Sequence, residues 1–416
     1  MRTIVLIPAL LFIITGSAFA QNMNSPYSVY GVGEIQNNYS DRSSGMGYTS
    51  MALLSTPGHL LNKNPASLIG LERSLAQVDL SLVGRSVTYT GNPISSTNNT
   101  SHDMTIKRFS LSSKLSDHWA SSVGFIPFSY VSYSFLQQKT VEGPESNYSS
   151  QIDGNGGLNN IFWNNAFAIG KHVAVGLRTS FIFGSINQTE TMSGATLAVP
   201  VISEVKDYYN NFRFEFGSLY NTKLGKNWKL ALGGKVATKS DLRSEQTLTV
   251  TEGTTVVEQD KPLGTSTFTL PYSWDAGIAL TNKGRSTFAV DYSFENWDGL
   301  NKGGSTWSMV NSQRLSAGVQ FSNQVQKWGM TAEKSYFQAG VFMGQSYLQV
   351  RNQQINEFGA TAGYGGYLSR GLSFGLALEG GRRGTTANGL IRENYVQATI
   401  SFSYREVLYS KGRKYD

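Results

Sequence analysis

From Leu75 onward the chain alternates bulky apolar residues with small or polar ones. In Leu372-Ser373-Phe374-Gly375-Leu376-Ala377-Leu378-Glu379 every second position is large and apolar, and Ser, Gly, Ala and Glu stand between. Successive side chains of a strand point to opposite faces, so such a segment offers one face to lipid and the other to a polar interior. The dyad recurs in Phe288, Val290, Tyr292 and Phe294 against Asp291, Ser293 and Glu295, and in Val396, Ala398, Ile400 and Phe402 against Gln397, Thr399 and Ser401. Strands are expected at 75–90, 103–115, 118–138, 146–170, 172–190, 207–224, 228–252, 264–281, 286–296, 308–323, 334–351, 353–369, 371–386 and 392–404. The pattern predicts an all-β fold: a fourteen-stranded antiparallel transmembrane β-barrel, with the even strand number of single-chain bacterial barrels. A soluble sandwich or propeller fits less well, because neither continuous apolar runs nor a blade period is present.

Turn lengths orient the barrel. Ser116-Asp117, Gly225-Lys226-Asn227, Asn282-Lys283-Gly284-Arg285 and Ser369-Arg370 are short, as periplasmic turns are. Longer connections are expected outside, from Gly91 to His102, Met192 to Lys206, Gly253 to Leu263 and Asp298 to Ser305.

Ahead of the barrel, Arg2 precedes an apolar run from Ile4 to Ile14, and Ala18-Phe19-Ala20 has the small residues of a signal-peptidase site. Residues 1–20 read as a signal peptide, with Gln21 first in the mature chain. The apolar run is too short to span a bilayer as a retained helix. With no cysteine, neither a lipid anchor nor a thiolate metal site is available. Only 15% of residues are charged, whereas Gly (44) and Tyr (21) are abundant, which departs from soluble domains in the direction the barrel predicts. The net charge of +7 is scattered rather than striped, so nucleic-acid binding is not expected. Basic residues at strand ends near anionic headgroups account for it.

Residues 21–72 lack the alternation and are rich in Ser, Gly, Asn and Pro. Met51-Ala52-Leu53-Leu54 reads as a helical turn stopped by Ser55-Thr56-Pro57-Gly58, and Asn64-Pro65-Ala66 as a turn opening a second short helix. So compact a segment before a barrel is expected to be a plug, or hatch, within it. The dyad is interrupted in strand three, where Gly124-Phe125-Ile126-Pro127-Phe128 sets a proline mid-strand beside a glycine. Two readings stand open: an inward kink that opens a gap in the wall, or a bulge outside the membrane zone.

The succession of leader, Gly45-Met46-Gly47, Asn64-Pro65-Ala66, Gly124-Phe125-Ile126-Pro127-Phe128, Gly380-Gly381-Arg382-Arg383-Gly384-Thr385-Thr386 and Leu390-Ile391-Arg392-Glu393-Asn394-Tyr395 resembles the FadL-type outer-membrane transporters of long-chain fatty acids and aromatic hydrocarbons, in their Bacteroidetes branch. The resemblance spans nearly the whole mature chain. It implies fourteen strands, a hatch including Asn64, Pro65 and Ala66, and a lateral gate at Gly124, Phe125, Ile126, Pro127 and Phe128, through which a hydrophobic ligand leaves sideways. Residues 73–404 form the barrel on this reading, and 405–416 a C-terminal extension.

Candidate chemistry adds little. His59, His102, His118 and His172 are dispersed without ligand spacing, so no metal site, cofactor or enzyme activity is expected. His172 alternates with Ala174 and is read as facing the lumen. Arg178 and Arg213 are the lumen arginines suited to a carboxylate. Glu379 and Glu393 beside Arg382, Arg383 and Arg392 are read as ordering a loop or neutralising the lumen wall. The expected function is passive uptake of a hydrophobic small molecule across the outer membrane. Lipid and, during biogenesis, the barrel-assembly machinery are the expected partners. The alternative is a barrel docking platform that binds a protein, similar to the FadL-related shuttle component of type IX secretion.

Overall fold

In a computed structural model, residues 25–36, 39–73, 75–92, 94, 99–141, 146–194, 197–327, 330–369 and 371–407 are described. The expected leader, Arg370 and the chain after Val407 fall outside these residues.

Fourteen antiparallel strands close into one barrel. We number them β1 (Leu75–Thr90), β2 (Thr100–Lys114), β3 (Trp119–Pro127 and Ser129–Val141), β4 (Ser146–Ile169), β5 (Val173–Ser193), β6 (Val201–Leu224), β7 (Trp228–Ala237 and Ser240–Glu252), β8 (Thr255–Leu270 and Ser273–Asn282), β9 (Ser286–Glu295), β10 (Ser312–Lys327), β11 (Met330–Val350), β12 (Gln353–Tyr367), β13 (Leu372–Arg383) and β14 (Arg392–Val407). Each pairs with its neighbour in sequence, and β14 closes the ring on β1 from Arg392↔Thr90 to Val407↔Leu75. The last strand thus runs three residues beyond the expected barrel limit at 404.

The dyad does what lipid outside and water inside require. On β6, Phe212, Phe214 and Phe216 are 54%, 41% and 53% exposed, while Glu215 and Leu219 between and beyond them are buried. Such a row would be a liability in water and is stabilising against acyl chains. The strand ends beyond the membrane belt depart from expectation. β2 starts at Thr100, β6 at Val201 and β8 at Thr255, so the expected loop 253–263 is nearly all strand and 192–206 about half, whereas 91–102 is strand only from Thr100. From Thr255 to Thr267 every residue of β8 is exposed, so neither lipid nor core imposes an alternation there.

Residues 25–36 and 39–73 pack against inward-facing positions around the ring. Three short 3₁₀ turns, Pro26–Val29, Arg42–Met46 and Pro65–Gly70, each start on a side-chain cap, Ser25, Asp41 or Asn64. Met51 lies so near β7 that a Cβ at Gly233 would stand 2.0 Å from its carbonyl oxygen. On the other side, a Cβ at Gly340 of β11 would stand 2.2 Å from the Met46 carbonyl carbon. Glycine is required at both places because backbone meets backbone. The expected helical turn at Met51–Leu54 is a single hydrogen-bonded turn, Leu53 N donating to Ser50 O (3.0 Å), and the Asp291 carboxylate accepts from the Ser50 and Met51 N–H groups at its start (2.8 and 2.9 Å).

Candidate functional site

The ladder between β2 and β3 pairs only Lys114↔Ala120 through Phe109↔Phe125. Above Phe109, residues 100–108 of β2 still pair with β1, but the upper half of β3 is not among their partners. β3 stays on β4 throughout, with Pro127 opposite Asn159 and Val131 opposite Gly156, one residue out of step across the break. The step falls at Phe128, whose N–H donates to Leu158 O of β4 (2.7 Å) while its C=O turns the other way and accepts from Gln36 N (2.9 Å). Strand alternation then aims the Pro127 nitrogen away from β4, at the side where β2 has left, so its missing N–H costs no ladder bond. β2 carries a matching irregularity: Ser81 faces Arg108 and Leu82 faces Ile106, so Lys107 is an inserted residue, and Lys107 and Arg108 are both buried. Gly124 lies just below the break, where a Cβ would stand 2.5 Å from the Phe162 ring.

The edge that β2 leaves is taken up by the N-terminal residues. Glu34 and Ile35 pair with Tyr130 and Ser129 as a two-residue strand, Ser25 N donates to Ser132 O (3.3 Å) and Ser129 Oγ donates to Val32 O (2.6 Å). Buried charges on β1, β13 and β14, the strands on the far side of β2, fix this segment. Glu34 Oε1 lies 2.5 Å from Arg383 Nη1 and 3.9 Å from Arg85 Nη1, Arg85 Nη2 lies 3.5 Å from Glu393, and Ser25 Oγ donates to Glu393 (2.6 Å). Burial drives the Glu34 carboxyl upward, but the Arg383 and Arg85 guanidinium groups outweigh it and hold it at about 2. The C-terminal charges thus tie the N-terminal segment to the lumen wall, and Glu379 accepts from Tyr48 and Tyr395. No local pattern of the sequence marks Glu34–Ile35 as a strand. The one signal available was the set of charges at inward positions of β1, β13 and β14.

Behind the break lies a lumen cavity of about 110 Å³, lined on one side by Ile126, Pro127 and Phe128. Several charged groups are among its other lining residues, most of them paired: Lys235 with Asp275 (3.3 Å), Glu215 with Arg178 (3.0 Å), Lys63 with Asp291 (2.9 Å) and Arg314 with Glu357 (3.5 Å). Arg178 is fully buried and spent on Glu215 and the Asn62 carbonyl, so it has no charge to offer a ligand. Arg213 lines the cavity, donating to Thr238 O (3.2 Å) and Pro271 O (2.9 Å), the carbonyls exposed where β7 and β8 are interrupted.

Asn64, Pro65 and Ala66 lie apart from the break. Asn64 Oδ1 caps Ala66 N (3.0 Å), its Nδ2 donates to Met51 O (2.8 Å) and Ser218 O (2.9 Å), and Pro65 sits at the first helical position. His172 does not face the lumen. It occupies the β4–β5 turn, exposed beside Tyr220, with Nδ1 2.8 Å from Asn221 O. Gly371-Leu372-Ser373-Phe374-Gly375 carries the letters of a nucleophile elbow but runs into a barrel strand rather than a strand-to-helix turn. Ser373 Oγ donates to Gly58 O, and the space it shares with His59 is about 10 Å³, too small for a substrate.

Solved structures place the fold. The toluene transporter TodX of Pseudomonas putida superposes with a TM-score of 0.56 at 16% identity, over 90% of this chain and 99% of that one. A FadL homologue of Pseudomonas aeruginosa superposes with a TM-score of 0.57 at 11% identity, over 90% and 100%. At such identities they share an outer-membrane barrel architecture with this chain. No curated protein matches the sequence. The family model described as BamG matches residues 1–416, the length of the chain, which therefore belongs to the BamG family.

Proposed function

We propose that the barrel is a passive route by which a small hydrophobic compound crosses the outer membrane and leaves sideways between β2 and β3. One observation carries this reading: the β2–β3 ladder stops at Phe109↔Phe125, and the residues of β3 just past the stop line the lumen cavity. Ile126, Pro127 and Phe128 are the lateral gate, with Gly124 and Phe125 as its lower edge. Residues 25–36 act as the movable part of a hatch, and Asn64, Pro65 and Ala66 as its fixed anchor. An unpaired edge is costly in a bilayer, so the gate needs a removable cover, and the two-residue strand at Glu34–Ile35 is small enough to be one. A concentration gradient supplies the driving force. The toluene transport named for one of the fold relatives is in keeping with this reading.

The test is Pro127→Thr, which restores the missing N–H on the side facing β2. Uptake of labelled toluene or dodecanoate by cells should fall several-fold while the barrel stays folded by heat-modifiable migration, and unchanged uptake overturns the gate. A second reading, a docking platform for a protein partner, draws on the BamG family match, which relates the chain to barrel assembly. Pull-down from gently solubilised membranes separates the two: a stoichiometric protein partner favours docking, a co-purified amphiphile favours passage.

A further inference from the structure

Two charges in the lumen cavity stand apart from the paired network. Among the charged residues lining it, Arg213 and Glu295 make no ion pair with any described residue. They are nonetheless neighbours. Arg213 Nη2 reaches Ser273 Oγ at 3.5 Å, and Ser273 is the register partner of Glu295 across β8 and β9. Each charge is steadied by a neutral group: Arg213 by the Thr238 and Pro271 carbonyls, Glu295 by the Trp297 indole N–H at 2.8 Å. Opposite charges this near in a low-dielectric cavity would gain by closing on each other. The neutral partners hold them open instead, and Arg213 Nη1 makes no hydrogen bond within the described chain. The same cavity is lined by the apolar stretch Ile126 to Phe128, and by Leu270 and Trp297, which lie next to the partners of Arg213 and Glu295.

We infer that the cavity is a headgroup site for a zwitterionic amphiphile: an acid group on Arg213, an ammonium on Glu295, and an apolar tail directed along Ile126–Phe128. This names the substrate class of the passage proposed above and rests on that reading. A singly charged amphiphile satisfies one of the two groups and leaves the other unmatched; a zwitterion satisfies both without changing the net charge of the lumen.

The full-length barrel in a nonionic detergent is titrated with four probes of one tail length, dodecanol, dodecanoate, dodecylamine and N-dodecyl-β-alanine, and bound amphiphile is counted by native mass spectrometry. N-dodecyl-β-alanine should bind about tenfold more tightly than either singly charged probe, the least that one added charge-assisted contact supplies. Arg213→Met should lower its affinity to that of dodecylamine, and Glu295→Gln to that of dodecanoate. Arg213→Lys and Glu295→Asp should retain the preference, which separates charge recognition from the part Arg213 plays in bridging the interrupted strands. Equal binding of all four, a preference for a singly charged probe, or a zwitterion preference untouched by both variants overturns the headgroup site and leaves the passage standing. Failure of all four to bind removes both.

Discussion

The wall at β4 and β5 and the wall at β2 and β3 are built from the same kinds of residue and closed by different means. Between β4 and β5 the ladder runs unbroken from Ser149↔Ser193 to Ile169↔Val173. Between β2 and β3 it ends midway, and the remaining edge of β3 is covered by residues that precede the barrel, held by ion pairs to β1 and β13 and a hydrogen bond to β14. Main-chain closure is distributed over many bonds and local in effect. Closure by a tethered segment depends on a few buried charges, so one substitution can undo it.

The sharpest way to break this contrast is Glu34→Lys, which sets an ammonium against Arg85 and Arg383. Breaking a buried pair so as to leave charge uncompensated costs about 3–5 kcal/mol. Hydrogen exchange at residues 25–36 and at upper β3 should rise steeply, while β4 and β5 amides stay protected. Equal acceleration in both walls would mean that the segment supports the whole barrel and not the seam.

Acid is a gentler probe of the same tie. Glu34 ionises at about 2 in the folded chain against a reference value of 4.5. Its contribution is complete above the higher value and is lost as pH falls through the lower, amounting to about 3 kcal/mol across that window. Limited pepsin digestion should therefore begin to cut residues 25–36 as the pH approaches 2, and Glu34→Gln should be cut equally at pH 4 and below.

The smallest effect is expected from Gly233→Val, which drives a side chain into the Met51 carbonyl without touching the seam. Overpacking of this kind costs roughly 1–3 kcal/mol. The melting temperature should drop by a few degrees with exchange at residues 25–36 little changed, which would show that the two ends of the N-terminal segment are held independently.

The strands were legible because lipid enforces a strict period of two: a one-residue slip on β6 would bury Phe214 in the lumen and present Glu215 to acyl chains. Beyond the bilayer that demand lapses, and the extensions of β2, β6 and β8 carry no pattern from which to extract them. Local caps were legible in the same way, Asn64 before Pro65 being a contact between near neighbours in sequence. The partners of the N-terminal segment were not, since Glu34 meets Arg383 through a pairing that no local pattern encodes. Of the charged pair in the cavity, Arg213 drew notice as a lumen arginine, whereas Glu295 read only as the polar partner of Phe294. Its isolation is a property of the assembled ring.

Closure of β14 on β1 also sets an order of events. The residues ahead of Leu75 are synthesised first, yet the ring around them is complete only when the last strand arrives at Val407. Once that junction zips, the glycines that Met46, Met51 and Pro65 abut, Gly340, Gly233 and Gly217, all lie on one closed ring. A segment that seats on those strands while the ring is open needs no passage through either mouth, so the later the junction forms, the longer the beginning of the molecule has to find its place.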